Sequence, residues 1–326
     1  MTRKVIILTG FLGSGKTTIL RGIVSKYRDS SRITAIINEL GEVSLDHYLV
    51  RTVGERVRLL GGGCACCNVR DDLVNALREE LSLEMRGVKP VSEYVVVETT
   101  GLTDPSPISF TIETDPVLQH HYRVHKIVTV VSALNGEEVL RMFDVARKQL
   151  AMADLVVVTK VDLAPLDEKL ASLISSINPA AEVVQAVKGD LEPEIFLADA
   201  RTPQRLESGG PALAKSSLLS VVFDGEVDWA VFGVWLSALL YVHGDKIPRV
   251  KAVIRIGGGD FVILNGVQHV IHAPEHFRAG PGERSRLMMV TMGVEPERIL
   301  ESFQVFHSAL GGASSGWSVS TKSFHP

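Results

Sequence analysis

The sequence predicts a doubly wound, mostly parallel α/β sheet followed by a smaller α+β domain, and three features lead there. Over roughly the first 200 residues, β-branched apolar runs alternate with segments of helical period. A glycine-rich stretch, Gly10-Phe11-Leu12-Gly13-Ser14-Gly15, separates the first such run from the first helix. Around Glu207-Ser208-Gly209-Gly210-Pro211 both patterns stop and small residues take over.

The expected strands of the first domain are residues 4–9, 33–38, 94–98, 127–131 and 155–159, with 57–60 and 183–187 as further candidates. Runs such as Val95-Val96-Val97 and Leu155-Val156-Val157-Val158 are apolar at every position, which predicts helices over both faces of the sheet. Those helices are expected at 15–27, 70–85, 136–151 and 165–177. After a linker at about 203–215, the second domain reads as a strand at 218–223 and a helix at 227–242. Strands at 250–256, 261–264, 269–272 and 286–291 follow, then a helix at 296–310. The expected domains are thus 1–205 and 215–311, with a Ser/Gly-rich mobile tail at 312–326.

Composition narrows the function classes. The 326 residues are 45% hydrophobic and 22% charged, an ordinary globular balance. A formal net charge of -4 argues against a broad basic surface for nucleic acid. No apolar run reaches the roughly 18 residues of a membrane span, so a cytoplasmic protein is expected. All 3 cysteines fall within Cys64-Ala65-Cys66-Cys67, leaving no distant pair to staple the fold.

Gly10-Phe11-Leu12-Gly13-Ser14-Gly15-Lys16-Thr17 has the spacing of a P-loop, and it stands where that motif must stand, between a buried strand and an amphipathic helix. Glycines at 10, 13 and 15 let backbone N–H groups approach phosphate oxygens. Lys16 is placed to reach the β- and γ-phosphates, and the Thr17 hydroxyl to ligate Mg²⁺. Ser14 and Thr18 complete the loop and the first helical turn. The fold expected is therefore that of a P-loop NTPase. A second acidic group should end a neighbouring strand near the Mg²⁺ shell, and Glu98 in Val97-Glu98-Thr99-Thr100-Gly101 fills that place. Gly101 can bring its N–H to a γ-phosphate, as switch glycines do.

The base is read from Thr159-Lys160-Val161-Asp162, at the end of another buried strand. A carboxylate there accepts from the two guanine donors, N1–H and the exocyclic amine, and adenine offers no matching pair at that edge. Asp162 therefore favours GTP. The first residue of this motif is usually Asn; here it is Thr159.

Three cysteines in four residues suit soft or borderline metal ions such as Zn²⁺, Cu⁺ or Co²⁺. In an extended segment Cys64 and Cys66 share one face, and Cys67 points away. Buried small hydrophobes and a redox-active thiol are the other readings of the cluster. Two histidine groups are further candidate metal sites: His120, His121 and His125, which read rather as a solvated helix end, and His269, His272 and His276, of which the first two have opposite strand parity. Trp229, Phe232 and Trp235 read as core.

In four segments the chain resembles the CobW-type metallochaperone GTPases, near their YjiA-like members and more distantly the UreG and HypB nickel-insertion GTPases. The segments are Thr9 to Thr18, Asn38-Glu39-Leu40-Gly41-Glu42, Gly63-Cys64-Ala65-Cys66-Cys67, and Glu98-Thr99-Thr100-Gly101-Leu102-Thr103-Asp104-Pro105. Arg249-Val250-Lys251-Ala252 and Asn265-Gly266-Val267-Gln268-His269-Val270 look like the C-terminal domain of that family. The resemblance implies a GTPase whose Cys64, Cys66 and Cys67 load Zn²⁺ or another divalent transition metal, with Glu39 and Glu42 of the switch segment as further ligands. Some relatives carry Glu immediately before the Asn38 position, and here Ile37 stands there, which shifts weight from a carboxylate-rich site to thiolates. The partners implied are GTP and a metal-requiring client protein, without nucleic acid or membrane, and a nucleotide-dependent homodimer is left open. Two other functions fit the same motifs: a zinc-storage or zinc-sensing protein with incidental nucleotide turnover, and a P-loop kinase acting on a small molecule.

Overall fold

The computed structural model describes residues 2–26, 33–38, 57–60, 68–198, 216–223, 225–278, 284–310 and 319–321. The chain divides into two compact units, Met1–Ala171 with Ala181–Arg201, and Ser172–Ala180 with Thr202–Pro326. The expected linker at 203–215 lies outside the described residues.

In the first unit the order is β1 (Arg3–Thr9), α1 (Lys16–Lys26), β2 (Ile33–Asn38), β3 (Val57–Leu60), α2 (Asn68–Met85), β4 (Tyr94–Glu98) and α3 (Ser106–Thr114). Then come β5 (Tyr122–Ser132), α4 (Gly136–Met142), α5 (Asp144–Ala151), β6 (Leu155–Thr159), α6 (Glu168–Ile177), β7 (Glu182–Ala186) and α7 (Pro193–Leu197). The sheet order is β3-β2-β4-β1-β5-β6-β7, with every pairing parallel. Because β1 lies at the centre, between β4 and β5, the loop that follows it opens in the middle of one rim. Strand order reverses on either side of β1, the place where open α/β sheets leave a crevice. Ile6, Leu8, Val96, Val128 and Val157 from the sheet close over Ile19, Leu20 and Ile23 of α1. Each such side chain, fully buried, contributes on the order of 2 kcal/mol.

At the opposite rim the Arg3 guanidinium pairs with the buried Glu84 carboxylate, and Glu84 also accepts the Ser92 N–H at 2.8 Å. The Tyr122 hydroxyl donates to the Leu77 carbonyl at 2.9 Å, and burial pushes its pKa up.

Several elements depart from the sequence expectation. The helix expected over 136–151 is two helices, because Phe143 between them takes an extended backbone, φ -116° and ψ 116°. Its ring leaves the helical path to stack on Phe11, centroids 4.4 Å apart. α3 and α7, each opening on a proline-led turn, were not expected. β5 starts five residues before the expected 127, taking in His125, and β7 is an exposed edge strand instead of a covered one.

The second unit contains β8 (Ser216–Phe223), α8 (Trp229–His243), β9 (Arg249–Gly257), β10 (Asp260–Val267), β11 (Val270–Ile271), β12 (Glu275–Arg278), β13 (Ser285–Met292), α9 (Pro296–Ala309) and β14 (Val319–Thr321). The strands pair antiparallel in the order β11-β10-β9-β13-β8-β14, with β12 also on β10. Phe232, Trp235, Leu236 and Phe303 from the two helices pack with Leu219, Val250, Ile254 and Met289 of the sheet. Trp235 directs its Nε1–H to the Ser302 hydroxyl at 2.9 Å, so the indole is core with its polar edge satisfied. β12 and β14 were not expected, and β14 lies within the segment read as a mobile tail.

Among the described residues no helix is long and apolar enough to cross a membrane.

Candidate nucleotide-binding site

The loop between β1 and α1 is built as the motif requires. Gly10 sits at φ 139°, and a Cβ there would stand 2.3 Å from the Val130 carbonyl oxygen, so no other residue fits without moving β5. The Lys16 ammonium donates to the carbonyls of Gly10 at 2.8 Å and Phe11 at 3.1 Å, folding back across the loop. It is 8% exposed, and Ser14 is 4% exposed. Thr18 lies on the solvent side of the first turn of α1.

Glu98, the last residue of β4, is buried beside the first turn of α1 and accepts the Thr17 hydroxyl at 2.7 Å. The register of β1 with β4 sets this up, since Leu8 pairs with Glu98 and the two strands leave the sheet together. Thr99 continues the link, donating its hydroxyl to Thr9 Oγ1 at 2.9 Å and its N–H to the Leu8 carbonyl at 2.9 Å. At Gly101 a Cβ would come within 2.6 Å of the Leu12 backbone nitrogen, so this segment lies directly on the P-loop.

Thr159 and Lys160 act on the loop from the other side. Thr159, at the end of β6, donates its hydroxyl to the Ser14 carbonyl at 2.5 Å, with the Val131 carbonyl at 3.3 Å. Lys160, at φ 58°, donates to the Gly13 carbonyl at 2.8 Å. Asp162 is exposed in the turn that follows. The sequence-predicted residues Gly10, Gly13, Ser14, Gly15, Lys16, Thr17, Glu98, Gly101, Thr159 and Lys160 thus meet around one loop.

The donor set fits a Mg-triphosphate. A hydroxyl and a buried carboxylate, both hard oxygens, stand 2.7 Å apart at the start of a helix whose free N–H groups favour anions. Cys64, Cys66, Cys67, Glu39 and Glu42 lie outside the described residues. Among the described residues no group of three or more His, Cys, Asp or Glu side chains could hold a metal ion. The histidines have other roles: His125 Nε2 bonds the Leu197 carbonyl at 3.1 Å, and His120 is exposed in a 3₁₀ turn. His269 bonds the Leu240 carbonyl at 2.7 Å and lies 3.2 Å from Asp245, whereas His272 is buried and His276 is exposed.

Sequence reasoning missed two contributors. Gln149, fully buried on α5, donates its carboxamide N–H to the carbonyls of Thr103 at 2.9 Å and Gly101 at 3.3 Å. Phe143 anchors the same helix to Phe11 of the P-loop. The available signal for Gln149 was a polar residue in the apolar stripe of a helix, next to Ala146 and Leu150.

The family model described as CobW/HypB/UreG, nucleotide-binding domain, matches residues 4–185. The chain belongs to this family. The model of the cobalamin synthesis protein cobW C-terminal domain matches residues 216–307 of this CobW-family chain. The zinc chaperone YjiA of Escherichia coli is 30% identical over 89% of this chain and 94% of its own length. The zinc-regulated GTPase metalloprotein activator 1 of Schizosaccharomyces pombe is 32% identical over 58% of this chain and 46% of its own length. The crystal structure of the Zn(II)-bound YjiA GTPase from E. coli matches with a TM-score of 0.69 at 26% identity, covering 94% of this chain and 99% of that chain. Both units of the CobW-family fold are therefore shared with a solved relative.

Proposed function

We propose that this chain is a cytoplasmic GTP-hydrolysing metallochaperone that loads Zn²⁺ or another divalent transition metal at Cys64, Cys66 and Cys67 and couples nucleotide state to delivery of the ion to a client protein. The observation that carries the nucleotide half is the Thr17–Glu98 pair at 2.7 Å beside a P-loop lysine. Membership of the family and two relatives named for zinc support the metal half.

In this reading Lys16 exchanges its two loop carbonyls for the β- and γ-phosphate oxygens, which are stronger, charged acceptors. A magnesium ion held at Thr17 and Glu98 supplies neutralisation of the charge that develops on the transferring phosphoryl group. The Gly101 N–H marks the γ-phosphate, and Asp162 accepts from guanine. The zinc ion is cargo: the thiolates take it up, and the switch segment with Glu39 and Glu42 opens or closes around it.

Two measurements test this. A Lys16→Ala variant is expected to lose GTP binding and hydrolysis, and full activity would overturn the nucleotide assignment. Zinc titrations should give different affinities with GDP and with a non-hydrolysable GTP analogue, and linkage requires zinc to shift GTP affinity by the same factor. Equal zinc affinities would point to storage or sensing instead, and a phosphorylated small-molecule product would point to a kinase.

A further inference from the structure

We propose that α5 is a strut between the P-loop and the Glu98–Asp104 segment, and that Gln149 is a positioning residue through which the chain distinguishes a nucleoside triphosphate from a diphosphate. The proposal rests on the GTPase reading above and names the device by which that site senses the γ-phosphate.

The strut has two fixed ends. At its start, Phe143 stacks on Phe11, a P-loop residue, with ring centroids 4.4 Å apart and planes at 30°. This contact coincides with the break between α4 and α5, so the backbone gives up helix there to make it. Further along α5, Gln149 donates to Thr103 O at 2.9 Å and Gly101 O at 3.3 Å. Two carbonyls can only accept, which fixes the amide orientation: nitrogen toward the Glu98–Asp104 segment and oxygen away from it. That oxygen, Gln149 Oε1, is buried, with no hydrogen-bond partner among the described residues, and so are the hydroxyls of Ser14 and Ser132. All three residues line one pocket of about 20 Å³ beneath the P-loop, room for about one water molecule.

The consequence for Gly101 is specific. Its carbonyl accepts from Gln149 at 3.3 Å, and its Cα packs so closely on Leu12 that no Cβ would fit. That hydrogen bond restrains the carbonyl side of Gly101 and leaves free the peptide on its other side, which carries the N–H that would meet a γ-phosphate. A diphosphate makes no demand on that N–H. A triphosphate does, and its affinity then depends on how firmly the other side of Gly101 is held. A ligand shifts such an equilibrium only by its differential affinity for the two arrangements, and a single hydrogen-bonding group supports about a tenfold difference.

The test compares GDP and the non-hydrolysable analogue GppNHp, both with Mg²⁺, on the full chain. Gln149→Met fills the space without donating. It is expected to weaken GppNHp binding about tenfold, leave GDP within about twofold, and lower kcat for GTP more than it raises KM. Phe143→Ala releases the other end of the strut at a ring that is 39% exposed, so its folding does not depend on core packing. It is expected to narrow the same ratio. A merely structural role for α5 predicts equal losses for both nucleotides, or a lowered melting temperature with the ratio intact, and either result overturns the proposal. A parent chain that binds neither nucleotide overturns the GTPase reading itself, before any variant is compared.

Discussion

The Thr159 hydroxyl donates to the Ser14 carbonyl at 2.5 Å, tying the end of β6 to the floor of the P-loop. Thr159 therefore holds the P-loop from the β6 side through its hydroxyl. Thr159→Val keeps the shape and removes the donor, leaving a buried carbonyl without it, at a cost of about 1–3 kcal/mol. Nucleotide affinity measured by calorimetry should fall about tenfold. Thr159→Ser, which keeps the hydroxyl, should remain within about threefold of the parent, since it preserves the hydrogen bond.

Glu98→Gln retains size and keeps an acceptor for Thr17 but removes the buried charge. Nucleotide should still bind through the P-loop, while phosphate release under single-turnover conditions slows by about a hundredfold or more. A variant hydrolysing at the parental rate would remove Glu98 from the machinery.

Gly10→Ala forces a methyl group to within 2.3 Å of the Val130 carbonyl oxygen, at φ 139°. Strain of this kind, added to displacement of β5, should cost about 3 kcal/mol or more. Urea denaturation is the direct measure, and a loss below about 1 kcal/mol would mean that the loop adapts.

Asp115 offers a pH test remote from the site. It accepts the N–H groups of Val117 at 2.9 Å and Leu118 at 3.0 Å and pairs with Arg78 at 2.9 Å. Burial pushes its carboxyl up, but the Leu118 and Val117 N–H groups and the Arg78 guanidinium outweigh that and hold it below the ordinary 3.8. A lowered folded-state pKa contributes stability above the ordinary value, lost as pH falls through the folded one. Asp115→Ala should cost about 1 kcal/mol at neutral pH, the worth of a capping side chain. The gap to the parent should narrow as pH drops below 3.8.

How much of this was legible depended on how local each cause is. Buried parallel strands announce themselves because both faces are covered, so Val95-Val96-Val97 and Leu155 to Val158 read correctly. The P-loop did too, since its glycines answer a local steric demand. The break at Phe143 did not, because it is made for a partner, Phe11, that sits far away in the chain. β12, with Glu275, His276 and Arg278, carries no apolar run because it is exposed, and only its pairing with β10 makes it a strand. Gln149 was invisible to a search for apolar period, which passes over the one polar side chain in the stripe. The cysteine motif was the plainest signal of all in the sequence, yet its residues lie outside those described.

One asymmetry of the first unit has a practical side. With every strand of that sheet running the same way, Arg3, Glu84 and Ser92 lock the rim where strands enter, and the proposed nucleotide site stands where strands leave. An engineer seeking a hardier protein can therefore rework the entry rim, where ion pairs and packing alone are at stake, without touching turnover. Substitutions on the exit rim offer no such freedom, because there the side chains of the proposed site, Thr17, Glu98 and Thr159, also hold the loop together.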